Sequence, residues 1–525
     1  MSMKKEKRTD FIIGFFLCGI GFLSRFFLRI EGFSAPDSVQ YAFSLSHFSM
    51  ANHTPPPPGY FLYVMSGKLL NIFFNDSQFS LVLISVIYSA VIPVMLYFLG
   101  KDLFGRSAGL ISALLFLSSP VLWYKGITIY GYLNSGFFIL LTAYFCFKVM
   151  KGEKLYSYGM AVAFAITVGI RSQEFLVLLP LCLFTIGFVS WRIRFYTLLL
   201  FGLICLMWFI PLTHLEGGLF NYLKILKKGS DYLREDSFWG GAWLSQISNH
   251  LTRMSQYFER TYLLAVFPFL YFLGQFFSLR TLSSNREAFF LLLLIGPSLL
   301  FNIFILYAEV GHGMPWIFGV LLIMGKSIET LSSDFMALCR RWITSVERYR
   351  SFFLMMMVSV IVLFNGIIFF HDFHFDVYGY DKVISDQRQF NYPDVKEMDR
   401  HLLTKVLWIK SHYSEKEILI LSKEFNRMLS YYFPTTTVLR PESVHREHRT
   451  SLIRCEGSLC ISVKTDSFEL PKQIKFVIIF DHPWMVFSHQ AQGKIEEIGK
   501  GLYLKIIPRE SFSNIKFSYH DIVLQ

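Results

Sequence analysis

The sequence predicts an all-α polytopic membrane protein that ends in a small soluble α/β domain. The chain has 525 residues, of which 53% are hydrophobic and only 17% are charged, whereas a soluble domain carries about 25% charged residues. The mean hydropathy is +0.43, and the 57 Phe residues suit a surface that faces lipid. A charge deficit that continues along most of the chain means that lipid is its solvent.

The positive charge is the second observation. The net charge is +12 and the isoelectric point is about 9.2, but the sequence shows no basic module with a recognition signature for nucleic acid. Lys and Arg instead stand between the apolar runs, where they determine which loops stay inside. We therefore predict a membrane partner and no nucleic-acid partner.

The apolar runs predict about eleven transmembrane helices, because about 17 or more residues cross a bilayer. These runs lie at 11–30, 78–99, 108–123, 132–150, 156–171, 174–190, 195–212, 261–278, 287–306, 314–329 and 351–370. Boundaries within 156–190 and 287–329 are the least defined, since several runs are near the lower length limit. The first run is too long for a signal peptide and lacks a small-residue cleavage site, so it predicts a retained signal anchor.

The loops between these runs predict the orientation. If the N-terminus lies in the cytoplasm, every alternate short loop is basic, as the positive-inside rule requires. These inner loops carry Lys101 and Arg106; Lys148, Lys151 and Lys154; Arg192 and Arg194; Arg280 and Arg286; and Arg340, Arg341, Arg348 and Arg350. The tail is then periplasmic or extracellular. The basic N-terminus and the compact tail fit a bacterial inner membrane slightly better than the endoplasmic reticulum. Arg25 and Arg29, near the outer end of the first helix, either snorkel to the headgroups or face a polar cavity.

The predicted organisation is a transmembrane module at 1–370, with long outer loops at 31–77 and 213–260, and an extracytoplasmic soluble domain at 371–525. The tail is polar, and its strand-like runs EILILS (417–422) and KFVIIFD (475–481) have a helix-like stretch between them. This alternation predicts a small α/β domain. Cys455 and Cys460 either form a disulfide in this domain or remain free thiols.

Two features of the first outer loop direct the functional argument. Asp37 follows the first helix by a few residues and precedes a helix-like stretch, and the run His53-Thr54-Pro55-Pro56-Pro57-Pro58-Gly59-Tyr60 comes next. Four prolines prevent a helix and favour an extended segment, and Gly59 lets the chain turn into another amphipathic stretch. The loop is therefore predicted to form two interfacial helices joined by a rigid elbow.

Asp37 is the candidate general base. A carboxylate held at the mouth of a cavity between helices can accept the proton that an attacking hydroxyl loses. The alternative is that Asp37 only caps the helix that follows it. The proline-rich elbow next to it makes catalysis the preferred interpretation.

The order of these features resembles the GT-C fold of membrane glycosyltransferases. A first helix, an Asp, an amphipathic stretch, a His with prolines and Pro-Pro-Gly-Tyr are similar to the protein O-mannosyltransferase superfamily and its bacterial relatives with a His-Pro-Pro-Gly-Tyr-like first loop. The likeness covers roughly residues 10–320 and leaves out the tail. Many relatives have an Asp-Glu pair where Ser38 follows Asp37 here, and Thr54 and extra prolines separate His53 from the Pro-Pro-Gly-Tyr segment.

The resemblance implies a glycosyltransferase that moves a sugar from a polyprenyl- or dolichyl-phosphate donor to an extracytoplasmic hydroxyl, with inversion. The acceptor would be a glycan, a lipid or a protein. The sequence requires no cofactor, and a divalent metal is compatible with the chemistry but has no supporting motif. The alternatives are a membrane transporter or lipid flippase, and an inactive GT-C-like scaffold. The charged candidates cluster at one membrane face and not at mid-bilayer, which favours the enzyme.

The anionic leaving group of such a donor needs cations at the outer helix ends. Arg171, flanked by Gln173 and Glu174, is the first candidate, because Arg binds phosphate bidentately. The alternative for Arg171 is a local ion pair with Glu174. Lys125 is the second candidate. For most of the aromatic residues around it, which include Tyr130 and Tyr132, an interfacial belt is the preferred interpretation.

Glu309 and His312 lie in a short outer turn that faces the same side as Asp37. Two glycines in this turn permit the close approach of a ligand. We expect these two residues, together with His53 and Tyr60 of the elbow, to contact the phosphate or the sugar of the donor. A metal held by His53 with Glu309 and His312 lacks the spacing of a metal motif, so no metal ligand is predicted.

Overall fold

A computed structural model describes most of the chain as two compact units. The residues outside the description are 1, 236–242, 279–285, 308, 340–348, 372–389, 423–424, 445–448, 465–466, 469, 482–492, 500, 512–514, 518–519 and 525. The first unit is Met1–Arg29, Pro57–Phe375 and Phe390–Pro393, and the second is Ile30–Pro56, Asp376–Gln389 and Asp394–Gln525. The predicted outer loop 31–77 contributes to both units. The boundary predicted after residue 370 adjoins 372–389, outside the described residues, and stays a prediction.

The secondary structure is helical first and mixed afterwards, as predicted. The helices are α1 (Ser2–Phe26), α2 (Pro36–Ser46), α3 (Phe61–Phe74), α4 (Ser77–Phe104), α5 (Arg106–Ser118), α6 (Pro120–Ile127), α7 (Tyr132–Met150), α8 (Tyr156–Ile170), α9 (Glu174–Ile186), α10 (Trp191–Leu215), α11 (Leu219–Glu235), α12 (Trp243–Tyr262), α13 (Val266–Ser278), α14 (Arg286–Phe304), α15 (Met314–Cys339), α16 (Arg350–Phe370), α17 (Tyr392–His412) and α18 (Asn426–Tyr432). The strands are β1 (Ile418–Leu421), β2 (Thr437–Val444), β3 (Arg449–Glu456), β4 (Leu459–Lys464), β5 (Ser467–Phe468), β6 (Phe476–Ile479), β7 (Lys494–Gly499), β8 (Leu502–Pro508), β9 (Ile515–Phe517) and β10 (His520–Leu524).

Seven helices in the described part of the chain are long and apolar enough to cross a membrane: α1, α4, α7, α10, α14, α15 and α16. A 62° bend separates α5 from α6, and this pair is a candidate eighth crossing. An integral multi-pass membrane protein is therefore confirmed. The count of about eleven stays a prediction, because α8 and α9, with 15 and 13 residues, are each only roughly 20 Å long.

The orientation also stays a prediction. Its argument depends partly on Arg280, Arg340, Arg341 and Arg348, which lie outside the described residues.

Two glycines let the central helices of the first unit approach closely. A Cβ atom on Gly109 of α5 would overlap the backbone of α4 at Tyr97. A Cβ atom on Gly325 of α15 would overlap α5 at Ala108 and Ser112. These three helices therefore pack almost backbone to backbone, as small residues allow between membrane helices.

Arg25 stabilises the break between α5 and α6. Pro120 begins α6 and lacks the N–H that would continue α5, so carbonyl groups in the last turn of α5 lose their helical partners. The buried guanidinium of Arg25 donates to the carbonyl oxygen of Leu117 at 2.7 Å and lies 4.5 Å from the ring centre of Trp123 in α6. Arg25 therefore faces buried polar backbone instead of snorkelling, and it fixes the direction of α6.

The second unit contains the predicted α/β domain, which is confirmed. Its seven-stranded sheet has the order β4-β3-β2-β1-β6-β8-β7, with β1 parallel to both β2 and β6. All four residues of β1 are buried, as expected for a central strand that is covered on both faces. A disulfide joins Cys455 of β3 to Cys460 of β4, so the structure has the disulfide form of the two alternatives.

The two helices predicted for the first outer loop are confirmed as α2 and α3. The residues between them, 47–60, contain a short 3-10 turn at Met50–Asn52 and no α-helix at the four prolines. The first of these helices is held by the tail domain within the second unit. Asp399 of α17 accepts the backbone N–H groups of Glu31 at 2.9 Å and Gly32 at 2.7 Å, and this anchors the chain just before α2.

Candidate active site

Lys125 is a buried cation at the end of α6. Its side chain is 0% exposed and forms an ion pair with Glu309, whose side chain is 24% exposed. The ammonium nitrogen also lies 3.5 Å from the ring centre of Tyr130. Removing an ammonium group from water is costly unless it is paired, and here the carboxylate and the aromatic ring compensate for that cost.

Arg171 is the second buried cation, and it follows the last residue of α8. Its Nη1 donates to Oε1 of Glu174 at 2.9 Å and to the carbonyl oxygen of Gly311 at 2.8 Å. The guanidinium carbon lies 4.8 Å from the ring centre of Tyr132. The local Arg171–Glu174 ion pair, expected as the alternative to phosphate binding, is therefore present, and phosphate binding stays a prediction.

Aromatic rings join these two cations into one cluster. Tyr130 and Tyr132 stack with their centroids 5.4 Å apart, and Tyr132 meets His312 edge to face at 5.9 Å. Both tyrosines are buried, so the interpretation of this region as an exposed interfacial belt is wrong for them. The rings take part in the cluster because their π faces attract cations.

The two glycines beside His312 have a different use from the one predicted. We expected them to admit a ligand, but a Cβ atom on Gly311 would overlap the ring of Tyr132 and one on Gly313 would overlap the indole of Trp316. The close approach is therefore made by aromatic side chains of the protein itself.

Asn302 of α14 is a site residue that the sequence analysis missed. It is fully buried, its Nδ2 donates to the carbonyl oxygen of His312 at 3.3 Å, and its Oδ1 accepts from the indole of Trp316 at 3.1 Å. The backbone N–H of Glu309 meets Nδ1 of His312 at 3.3 Å, which closes the turn. The available signal was a buried-type amide inside an apolar span, since such residues are costly unless they have partners.

Asp37 lies in the first turn of α2 and is exposed. The residue at the N-cap position is Ala35, so the interpretation of Asp37 as the capping residue is wrong. A carboxylate in the first turn is still favoured by the helix dipole. This position is compatible with a chemical role, and the role of Asp37 as the general base stays a prediction.

The other predicted residues occupy loop and helix-start positions. His53 is exposed and ends a 3-10 turn with a left-handed φ of 57°. Tyr60 precedes α3 with a φ of 43°, and Gln173 precedes α9. The structure thus brings together Lys125, Arg171, Glu174, Glu309 and His312 within the first unit. Asp37 and His53 belong to the second unit.

Among the residues that the structure describes, no three His, Cys, Asp or Glu side chains are grouped to hold a metal ion. The two buried cations of the cluster, Lys125 and Arg171, are each paired with a carboxylate, Glu309 and Glu174 respectively.

The chain, with its membrane helices and its C-terminal α/β domain, has a GT-C fold, as comparison with solved structures shows. Residues 54–214 match the family model described as dolichyl-phosphate-mannose-protein mannosyltransferase. The structure is similar to the oligosaccharyltransferase of Archaeoglobus fulgidus in complex with Zn and sulfate, with a TM-score of 0.50 and 10% identity over 89% of this chain and 67% of that chain. It is also similar to ArnT from Cupriavidus metallidurans bound to undecaprenyl phosphate, with a TM-score of 0.48 and 10% identity over 80% and 84% of the two chains.

The likeness to the oligosaccharyltransferase, which has the higher TM-score of the two, shows the fold of this chain. No curated protein sequence matches the chain significantly. The family match and the fold together support a glycosyltransferase-type membrane enzyme.

Proposed function

We propose that this protein transfers a sugar from a polyprenyl- or dolichyl-phosphate donor to a hydroxyl group of an extracytoplasmic glycan, lipid or protein. The observation that carries the proposal is the cluster in which the buried cations Lys125 and Arg171 are joined through aromatic rings. The matched segment, 54–214, contains both cations and belongs to a family named for a dolichyl-phosphate-linked mannose donor. Membrane embedding supplies the lipid-linked donor directly, so no nucleotide need bind.

Lys125 and Arg171 act on the phosphate of the donor. Glu309 and Glu174 hold the two cations in place before the donor arrives, and the partly exposed Glu309 yields its position beside Lys125 to a phosphate oxygen. The guanidinium of Arg171 suits two phosphate oxygens. As the bond to the sugar breaks, negative charge grows on the phosphate, and preorganised cations stabilise it.

Neutral and aromatic groups act on the sugar. Tyr132 and His312 present polar and aromatic edges beside the cations, and Gln173, His53 and Tyr60 are the further groups that we assign to the donor. These assignments follow from residue chemistry and from the positions of these residues at helix starts and turns.

Asp37 acts on the acceptor as the general base. The acceptor hydroxyl loses its proton to the carboxylate and its oxygen forms a bond to the anomeric carbon. The bond from that carbon to the phosphate oxygen breaks, and its electron pair leaves with the lipid phosphate. A single displacement of this kind inverts the anomeric configuration. The topology that places this reaction outside a bacterial inner membrane, with a cytoplasmic N-terminus, belongs to the same proposal.

The test compares Asp37→Asn with wild type in nanodiscs. Each protein is incubated with a panel of polyprenyl-phosphate sugars and membrane extract, and released polyprenyl phosphate is followed by mass spectrometry. Asp76→Asn is the matched control, because Asp76 lies in the same outer segment and caps α4 by accepting the N–H of Phe79 at 2.9 Å, a role that Asn fills equally well.

We expect turnover of one donor by wild type and by Asp76→Asn, and its loss in Asp37→Asn while donor binding persists. Equal turnover by Asp37→Asn would remove Asp37 as the base. Failure of the wild type to bind any lipid-phosphate sugar would contradict the proposal as a whole.

A further inference from the structure

Within the second unit, the helix that contains Asp37 packs against a helix of the tail domain that contains a cation. The helix α18 packs against α2 in this unit, and the ring of Tyr431 in α18 lies 4.8 Å from that of Phe33 and 5.4 Å from that of Phe43. One ring of α18 thus contacts both the segment before α2 and the last turn of α2. Arg427 lies in the first turn of α18 and interacts electrostatically with Asp37.

Burial and neighbouring charges change the pKa of the Arg427 guanidinium in opposite directions. Burial lowers its pKa, attraction to the Asp37 carboxylate raises it, and repulsion from Arg440 of β2 lowers it again. Within the described part of the protein, Nη1 of Arg427 is buried without a hydrogen-bond partner. A cation in such surroundings depends on electrostatic compensation, and Asp37 supplies part of it.

The interaction is reciprocal. A cation near a carboxylate favours the charged form of that carboxylate, and only the charged form can take a proton from an acceptor hydroxyl. We propose that Arg427 is a positioning residue that keeps Asp37 ionised and holds the start of α2 against the tail domain. The inference rests on the proposed role of Asp37 as the base. It gives the tail, which the family match at 54–214 does not include, a part in the reaction.

The other titratable groups near α2 include Asp399 of α17, which accepts the backbone N–H groups of Glu31 and Gly32 and whose pKa is raised by burial. Besides Asp37, α2 itself contains only Tyr41, and α18 contains Arg427, Tyr431 and Tyr432. Tyrosine side chains ordinarily titrate near about pH 10, far from the range in which a carboxylate gains its proton. Arg440 of β2 is a second cation that acts on Arg427.

The experiment measures the pH dependence of sugar transfer by the full-length protein carrying Arg427→Gln or Arg427→Lys. We expect Arg427→Gln to move the acidic limb of the pH–rate profile upward by roughly half a unit to one unit, because an uncharged partner no longer favours the carboxylate. Arg427→Lys keeps the charge and should keep the limb in place while lowering the rate. Arg454→Gln is the matched control, because Arg454 is a surface arginine of the same unit that pairs with Glu456 at 2.5 Å.

A second measurement uses the wild type alone and does not depend on the folding of a variant. Salt screens an attraction between partly exposed groups, so raising the ionic strength should also move the acidic limb upward. Suppose that Asp37→Asn inactivates the protein but that neither Arg427→Gln nor salt moves the acidic limb. This result would overturn the role of Arg427 and leave the role of Asp37 unchanged. Full activity of Asp37→Asn would overturn both.

Discussion

Among the residues that the structure describes, each compact unit contains one buried lysine, and the partners of these two lysines differ in kind. In the first unit, Lys125 pairs with the side chain of Glu309, which is 24% exposed. In the second unit, Lys405 of α17 donates to the backbone carbonyl of Phe480 at 2.6 Å, directly after β6. A carboxylate on a turn can rotate away from its lysine, whereas a carbonyl at the end of a strand cannot move without opening the sheet.

The difference teaches how to separate a binding cation from a structural one when both are buried. Burial alone is costly for either lysine, so each must have compensation. A side-chain partner that a ligand can replace is typical of a binding site. A backbone partner that cannot move is typical of a lysine that stabilises the fold. Lys125 therefore belongs to the donor site of the proposed function, and Lys405 to the stability of the tail.

The largest expected effect is on activity in Lys125→Met. Loss of one preorganised cation at a developing negative charge lowers kcat/KM by about 10²–10³-fold, measured as polyprenyl phosphate release. The control is Lys101→Met: Lys101 also forms an ion pair, with Asp10, but its side chain is 30% exposed and Arg106 remains as a partner of Asp10 at 2.9 Å. We expect the control to change kcat/KM by less than about threefold. Equal losses of kcat/KM in Lys125→Met and Lys101→Met would contradict the assignment of Lys125 to the donor site.

The second effect is on the stability of the tail and concerns Lys405. Burial lowers the pKa of Lys405 to about 8, against a smaller opposing effect of Asp481, whereas a lysine in an unfolded chain has a pKa of about 10.4. The unfolded tail therefore binds more protons between these two values, and its free energy of unfolding should rise by about 3 kcal/mol as the pH increases through this window. Lys405→Met should abolish this rise in the free energy of unfolding. The measurement is pulse proteolysis of the full-length protein in urea at several pH values. A wild-type stability that falls over this window would show that the lysine is not held as described.

The third effect is on the geometry of the second cation. Arg171→Lys keeps the positive charge but loses the planar fork that reaches Glu174 and Gly311 together. We expect kcat/KM to fall by roughly 10–100-fold, with the donor Kd raised. Arg194→Lys, near the other end of the helical module in α10, serves as the matched control and should behave as wild type. Unchanged kinetics in Arg171→Lys would mean that Arg171 serves only its local ion pair.

The smallest expected effect is tighter donor binding in Glu309→Gln, whereas the substitutions of Lys125 and Arg171 reduce activity. If a donor phosphate replaces the carboxylate of Glu309 beside Lys125, Glu309→Gln removes a competitor. The donor Kd should then fall by roughly threefold, while the thermal stability of the donor-free protein declines because Lys125 loses its charged partner. A raised donor Kd would show instead that Glu309 contacts the donor directly.

Much of the fold could be predicted from the sequence because lipid imposes a simple rule. Apolar runs of sufficient length must be helices whose backbone groups are satisfied internally, and α1, α4, α7, α10, α14, α15 and α16 follow that rule. Residues 108–123 were predicted as one straight run, but Pro120 divides them into α5 and α6. The pattern of apolar residues continues across such a break, so hydropathy does not reveal it.

The candidate site was predicted less completely. Lys125 and Arg171 could be predicted because an anionic leaving group needs cations at the outer helix ends, and Glu309 because it lies in an outer turn with two glycines. Tyr132 was assigned to an interfacial belt, since a tyrosine near a helix end is typical of both a belt and a cation contact. The attachment of the first outer loop to the tail, through Asp399 and Tyr431, connects residues hundreds of positions apart, and no local pattern carries such information.

The most direct test of the account is the binding of a lipid phosphate without any sugar. Wild type, Lys125→Met and Lys101→Met are placed in nanodiscs, and the Kd of a polyprenyl phosphate is compared with that of the corresponding polyprenol by native mass spectrometry. The account predicts that wild type and Lys101→Met bind the phosphate far more tightly than the alcohol, and that Lys125→Met loses most of this preference. Equal binding of the two lipids by the wild type would contradict the assignment of the buried cluster as a lipid-phosphate site.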